Sequence, residues 1–345
     1  MMKPGLLIAG RLPPARMIEV ARTAEGAGFG TLWMADERFY REVYEYLTML
    51  ALSTQRIGLG TCVTDPYSRH PAMTAVAIAT LDEISGGRAL LGIGAGLSGF
   101  VEMGVDRRKP VVAMREAIEL IRLLLKGGKV DYSGEIISFH DGHLDFAPLR
   151  VDIPVWIASN GPLGQILAGR VAQGAIMEAC GSVEEARVFI KRVREAAAKA
   201  GRTPQDVQCV ARLNFCVAEN GKAARDTMRA RVGRNLVGGH MSFTTIDKEA
   251  ITLPPEAVAK VEGVPYKAGL QPYEALAPYV TDQMVDLMTL AGTADEIVAH
   301  AVALCRSGID GLIISPNPTP AEAIDSQIRI FGERIWPAIE QELAR

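Results

Sequence analysis

The sequence predicts an α/β protein, a closed (β/α)₈ TIM barrel interrupted by two insertions. Three observations carry that reading. Eight short runs are largely apolar rather than alternating, as parallel strands buried on both faces are. Amphipathic stretches of about 10–15 residues separate most of them, the rhythm of repeated βα units. Eight units and two excursions fit the 345-residue chain, within the range of a barrel with insertions. An open doubly wound sheet is the competing arrangement.

The first strand, 5–9 (GLLIA), stands close behind the initial methionines. Pro13-Pro14 then opens a helix whose apolar face is Met17, Ile18, Val20, Ala21 and Ala24, closed by Gly26-Ala27-Gly28. The second strand is 30–35 (GTLWMA), followed by a helix over 43–52. The third is 57–64 (IGLGTCVT), with a helix over 72–84, and the fourth is 88–94 (RALLGIG), with a helix over 111–125. The fifth, 154–159 (PVWIAS), leads to a helix over 164–172, and the sixth, 175–179 (AIMEA), to a long helix over 183–200. The seventh, 207–218, is the longest and precedes a helix over 223–236. A helix over 294–305 feeds the eighth strand, 311–315 (GLIIS), and 321–343 reads as an amphipathic closing helix.

Two segments break the rhythm. Residues 130–148 alternate and carry turn signals at Ser133-Gly134 and Asp141-Gly142, so a β-hairpin is expected there. Residues 238–290 are polar, rich in proline and glycine and weakly periodic. Such a long excursion inside a barrel is either a lid over the substrate or a peripheral contact element. Residues 1–345 are expected to form one barrel domain.

Composition excludes several classes. With 48% hydrophobic residues, 37 basic against 40 acidic residues and a net charge of −3, the chain fits neither disorder nor a nucleic-acid or polybasic membrane surface. No apolar run approaches the roughly 18 residues of a membrane span. The N-terminus lacks a small-residue cleavage site, so no signal peptide is expected. Cysteines 62, 180, 209, 216 and 305 form no CxxC pair, which argues against a disulfide framework or a zinc site and for a reducing cytoplasm.

In a closed barrel the active site gathers at the carboxyl ends of the strands. That rule turns the strand ends into a site list. Asp36 and Glu37 follow the second strand and His70 lies beyond the third; these are the candidate catalytic acids and bases. Solvated loop charges paired with Arg38 or Arg41, and a histidine at a helix start, are the plainer alternatives. Gly94-Ala95-Gly96-Leu97-Ser98-Gly99 matches GxGxxG, but no helix pattern begins until about Val111, so a dinucleotide-binding reading fails. The glycines serve either close approach to a flat ligand or a tight turn. Ser159-Asn160-Gly161 precedes a helix start and suits an anion, or simple N-capping. His140 and His143 give no convincing metal set, Cys62 and Cys180 have no histidine partner, and GxSxG is absent.

The stretch Gly58-Leu59-Gly60-Thr61-Cys62-Val63-Thr64-Asp65-Pro66-Tyr67-Ser68-Arg69-His70-Pro71, continued by residues 77–88 and Gly92-Ile93-Gly94-Ala95-Gly96, resembles the bacterial-luciferase-like superfamily. Within it the methylenetetrahydromethanopterin reductase branch is most similar. Tyr132-Ser133-Gly134-Glu135, Pro154 to Ser159, Ala168-Gly169 and Leu290-Ala291-Gly292-Thr293 share the likeness, which spans nearly the whole chain.

The resemblance implies a (β/α)₈ barrel and a dissociable two-electron carrier, FMN or the deazaflavin F420, at the strand ends. It also implies a non-proline cis peptide at Cys62–Val63. It places Asp36 at the ring edge, Gly94 and Gly96 along the ring, and Ser159, Asn160 and Gly161 on the phosphate side. Cys62, Val63, Thr64 and Glu178 complete the expected cofactor set. A homodimer formed through barrel helices, and a separate flavin or F420 reductase, are the implied partners.

Three departures bear on chemistry. Asp36-Glu37 stands where F420-dependent relatives commonly have Asp-His, and Ile8-Ala9-Gly10-Arg11 where reductases commonly have a glutamate. Leu97 stands where some dehydrogenases have a glutamate. The expectation is therefore an oxidoreductase acting on a small organic substrate beneath the 238–290 excursion. The alternatives are a flavoprotein monooxygenase of a two-component system using reduced FMN and O₂, and a non-catalytic flavin-binding protein.

Overall fold

The computed structural model describes residues 2–96, 99–238, 243–265 and 268–345. The first half runs β1 (Gly5–Ala9), α1 (Pro14–Gly26), β2 (Thr31–Ala35), α2 (Val43–Ser53), β3 (Gly58–Thr61), α3 (Pro71–Ser85), β4 (Ala89–Ile93) and α4 (Pro110–Lys126). The hairpin β5 (Val130–Ser133) and β6 (Ser138–Gly142) follows. Next come β7 (Val155–Ala158), α5 (Pro162–Val171), β8 (Gly174–Glu178), α6 (Val183–Lys199), β9 (Gln208–Val217) and α7 (Gly221–Val237). After α8 (Pro255–Val258) and α9 (Asp282–Met288) the chain ends with β10 (Thr289–Gly292), α10 (Ala294–Arg306), β11 (Gly311–Pro316), α11 (Ile324–Arg329) and α12 (Trp336–Ala344).

Strands β1, β2, β3, β4, β7, β8, β9 and β11 pair in parallel in that order, and β11 returns to β1. The sheet is therefore a closed eight-stranded barrel, as the apolar runs predict. β3 stops at Thr61, short of the predicted strand, and the next peptide, Cys62–Val63, is cis. Thr64 rejoins the ladder through a bridge to Ile93.

Inside the bore, Trp33 and Trp156 meet edge to face and pack with Leu7, Ile176, Val210 and Ile313. They fill the lower barrel and leave a cup at the carboxyl ends.

The expected hairpin forms, and the buried Glu116 carboxylate pins its turn by accepting the N–H groups of Glu135, Ile136 and Ile137 at 2.8, 2.9 and 3.0 Å. The 238–290 excursion builds a small core of its own. Leu253, Ala257, Val261, Tyr273 and Leu276 pack with Ala224, Met228 and Val232 of α7. It ends in a strand the sequence does not signal: β10 pairs in parallel with Asn214–Val217, the part of β9 beyond the last β8 partner, Arg212. The closing helix is two helices joined through a π-turn at Ile330–Ile335.

Candidate active site

Asp36 follows β2 directly and turns toward the cup. Its Oδ2 accepts the Thr64 hydroxyl at 2.8 Å. Burial raises its pKa above the ordinary aspartate value, while the Thr64 hydrogen bond and the Arg69 charge pull the other way. Glu37 lines the same cavity.

Arg38, next in sequence, ties three loops together. It donates to Asp65 Oδ2 at 2.8 Å and to the Asp36 carbonyl at 3.2 Å. Its guanidinium lies 4.5 Å from the centroid of Phe100, and Arg107 lies 5.0 Å from the same ring. Arg107 donates to the Gly96 carbonyl at 2.5 Å. Asp65 is buried and also accepts from Tyr67 N, Ser68 N and Ser68 Oγ. The loops after β2, β3 and β4 thus share one buried ion pair and one ring.

The floor and far wall come from β3, β8 and β9. Cys62 Sγ lies 3.9 Å from Glu178 Oε1, and burial pushes the thiol pKa well above its ordinary value, with Glu178 adding to the rise. Glu178 Oε2 lies 3.4 Å from an Arg212 terminal nitrogen. Arg212 Nε is buried with no acceptor among the described residues. Asn160 Oδ1 accepts the Glu178 N–H at 2.9 Å, joining this wall to the loop after β7.

That loop, Ser159-Asn160-Gly161, leads into α5. Gly161 occupies the N-cap and offers no side chain to the first-turn N–H groups. Those groups are available to an anion.

The resulting cavity measures about 370 Å³, within the usual ~300–1,000 Å³ of small-molecule sites. Of the residues singled out from the sequence, Asp36, Glu37, Cys62, Val63, Gly96, Ser159, Asn160, Gly161 and Glu178 line it. Thr64 sits behind Asp36, and Gly94 sits behind Val63, whose Cγ2 would meet a Cβ there at 2.5 Å. His70 lies outside the lining. It caps α3 by accepting Ala72 N–H, and its Nε2 is 3.2 Å from the Ser138 carbonyl. Leu97 and Ser98, within the GxGxxG match, lie outside the described residues.

Sequence reasoning missed Arg212 and Asn235, which also line the cup. Arg212 had a readable signal, a lone charge inside the apolar run Val210-Ala211-Arg212-Leu213. Asn235 had none.

A second depression, of about 550 Å³, lies between α6, α7, α9 and α10. Its main charges are already engaged. Arg225 bonds Asp286 at 3.2 Å and Glu296 at 2.9 Å, and His300 bonds the Gly181 carbonyl at 2.7 Å. No cluster of three or more metal-ligating side chains occurs among the described residues, and no described helix is long and apolar enough to cross a membrane.

Residues 2–311 match the luciferase-like monooxygenase family. The 5,10-methylenetetrahydromethanopterin reductase of Archaeoglobus fulgidus is 33% identical over 323 residues, 92% of this chain and 94% of that protein. The coenzyme F420 dependent tetrahydromethanopterin reductase from Methanopyrus kandleri superposes with a TM-score of 0.85 at 26% identity, covering 98% of this chain and 99% of that one. An F420-dependent secondary alcohol dehydrogenase shares the fold, with a TM-score of 0.78 at 21% identity over 98% of this chain and 99% of that one. Similarity over the full barrel carries the enzyme class: this chain is an oxidoreductase. It belongs to the luciferase-like family.

Proposed function

We propose that the protein is an F420-dependent oxidoreductase, one barrel domain over 1–345, which exchanges a hydride with a small organic substrate held in the cup. One observation carries the reading: the cavity joins walls of small residues, Ala35, Ala95, Gly96 and Ala158, to the uncapped α5 terminus. Small walls suit a flat ring, and a bare helix N-terminus suits its phosphate-bearing tail. Similarity to a reductase described as F420-dependent supports F420 over FMN.

When bound, the deazaflavin supplies a two-electron hydride carrier. The chain's own residues do the rest. Gly96 lets the Phe100 ring pack close to this wall, since a Cβ there would stand 2.7 Å from it. The first turn of α5, with Ser159 beside it, holds the anionic end. The partly buried Asp36 retains a proton to higher pH than an exposed aspartate and is the group placed to exchange one at the ring edge. Trp33 and Trp156, packed with the floor residues Leu7 and Cys62, fill the bore below the cup.

The same reading carries a homodimer and a separate F420 reductase as partners. Titration of the purified protein with oxidised F420 and with FMN, followed by oxygen uptake with each reduced form, tests it. Saturable F420 binding without oxygen consumption is expected. Tighter binding of FMN together with oxygen uptake would replace it with the monooxygenase reading.

A further inference from the structure

The cup has two unlike halves. Strands β2, β3, β4 and β7 supply the small walls and the α5 terminus. Strands β8 and β9 with α7 supply Glu178, Arg212 and Asn235. The small walls and the uncapped helix end that suit the cofactor lie on the first half, so the second half, with Glu178 that the resemblance counts among the cofactor contacts, faces the substrate.

On that second half an acid and a base stand side by side, yet their contact is loose. The 3.4 Å separation exceeds the usual 2.7–3.2 Å of an N–H···O bond. Arg212 also carries a buried Nε–H with no acceptor among the described residues. A guanidinium has five donors in a planar fork, so some are left for a ligand. Asn160 Oδ1 accepts the main-chain N–H of Glu178 and fixes the backbone that carries the carboxylate. The nearby floor residues Leu7, Cys62 and Ala158 are not charged. Both side chains are only partly buried, and an ion pair so placed adds little net stability, so a hydrophobic pair would serve the fold as well.

We propose that Glu178 and Arg212 together select the substrate. They take a neutral amide-type edge, with its carbonyl on Arg212 and its N–H on Glu178, and turn away carboxylates and phosphates. The proposal rests on the oxidoreductase reading and names its substrate class. Charge supports it. Glu178 offsets Arg212, Asp36 and Glu37 add negative charge to the cup, and the Arg38 guanidinium is bound to buried Asp65. An anion reaching Arg212 therefore meets the Glu178 carboxylate, whereas an amide presents a donor at the same place.

Benzamide and benzoate differ in that one group, and each can be titrated calorimetrically into the F420-loaded protein at pH 7.5. Wild type is expected to bind benzamide at least about tenfold more tightly. Glu178→Gln unmasks Arg212 and is expected to reverse the preference; Glu178→Gln with Arg212→Gln is expected to abolish it. Lack of preference in wild type, including no binding of either probe, overturns the proposal. So does a wild-type ratio retained in folded Glu178→Gln. If Glu178→Gln does not fold, the wild-type ratio alone decides. If F420 itself fails to bind, the cofactor reading falls, and the benzamide ratio on unloaded protein still judges the pair.

Discussion

Trp33 and Trp156 meet edge to face across the bore, with ring centroids 5.4 Å apart and planes at 67°. Two indoles fit inside an eight-stranded barrel only where neighbouring strands give up their side chains. A Cβ at Gly60 would stand 2.7 Å from Trp33 ring carbons, and one at Gly174 would stand 2.0 Å from the Trp156 ring. The glycines within the strands therefore make room for the plug, while Gly96, beyond β4, shapes the cup.

Gly60→Ala is expected to cost about 1–3 kcal/mol through overpacking against Trp33. Trp33→Ala is expected to cost about 3–5 kcal/mol, as a large aromatic leaves the core. Urea midpoints compared with wild type check both. A Gly60→Ala midpoint equal to wild type would mean the indole is not held by these contacts.

Gly96→Val is expected to weaken F420 binding by about tenfold or more while leaving the barrel folded. The substitution places a side chain against Phe100 at a backbone φ of +66°, a conformation that costs a branched residue about 1–3 kcal/mol. Absorbance titration gives the affinity and circular dichroism the fold. Unchanged affinity would remove Gly96 from the cofactor wall.

Asp36 links stability to pH in a predictable sense. Its folded pKa is raised by burial, so its charged form is disfavoured in the native state. The destabilisation is absent below the unfolded value of about 3.9 and develops fully above the folded one. Asp36→Asn is accordingly expected to raise the melting temperature near pH 8 and to lose that advantage toward pH 4. A melting increment independent of pH would contradict the shift.

All five cysteines are buried. Burial pushes Cys180 and Cys209 up to about 12, and Cys216 and Cys305 up to about 11. Cys62 is raised as well, despite its place in the cup. Native protein at pH 8 is therefore expected to give no rapid colour with Ellman's reagent, and five thiols after guanidinium unfolding. Rapid reaction of one native thiol would expose a more open cup.

Much of this architecture is legible in the residues. The eight apolar runs specify the barrel because a strand covered on both faces has no reason to alternate. The strand-end rule brings Asp36, Gly96, Ser159 and Glu178 to one cavity. Three things escape that logic. β10 is only Thr289-Leu290-Ala291-Gly292, too short for a pattern, and it pairs because β9 outruns β8. The Arg38–Asp65 pair joins residues 27 positions apart through tertiary contact alone. His70 follows the third strand in sequence, but its capping bond directs it to the start of α3 rather than into the cavity.

The way β10 returns alongside β9 has an architectural outcome. The chain departs from the rim at Val217 and comes home beside the same strand at Gly292. Both ends of the intervening stretch are thereby moored to one ladder, so its length and content can be exchanged without disturbing barrel closure. Because α7 within it brings Asn235 to the cup, exchanging this tethered module would change what related enzymes accept while the eight strands stay as they are.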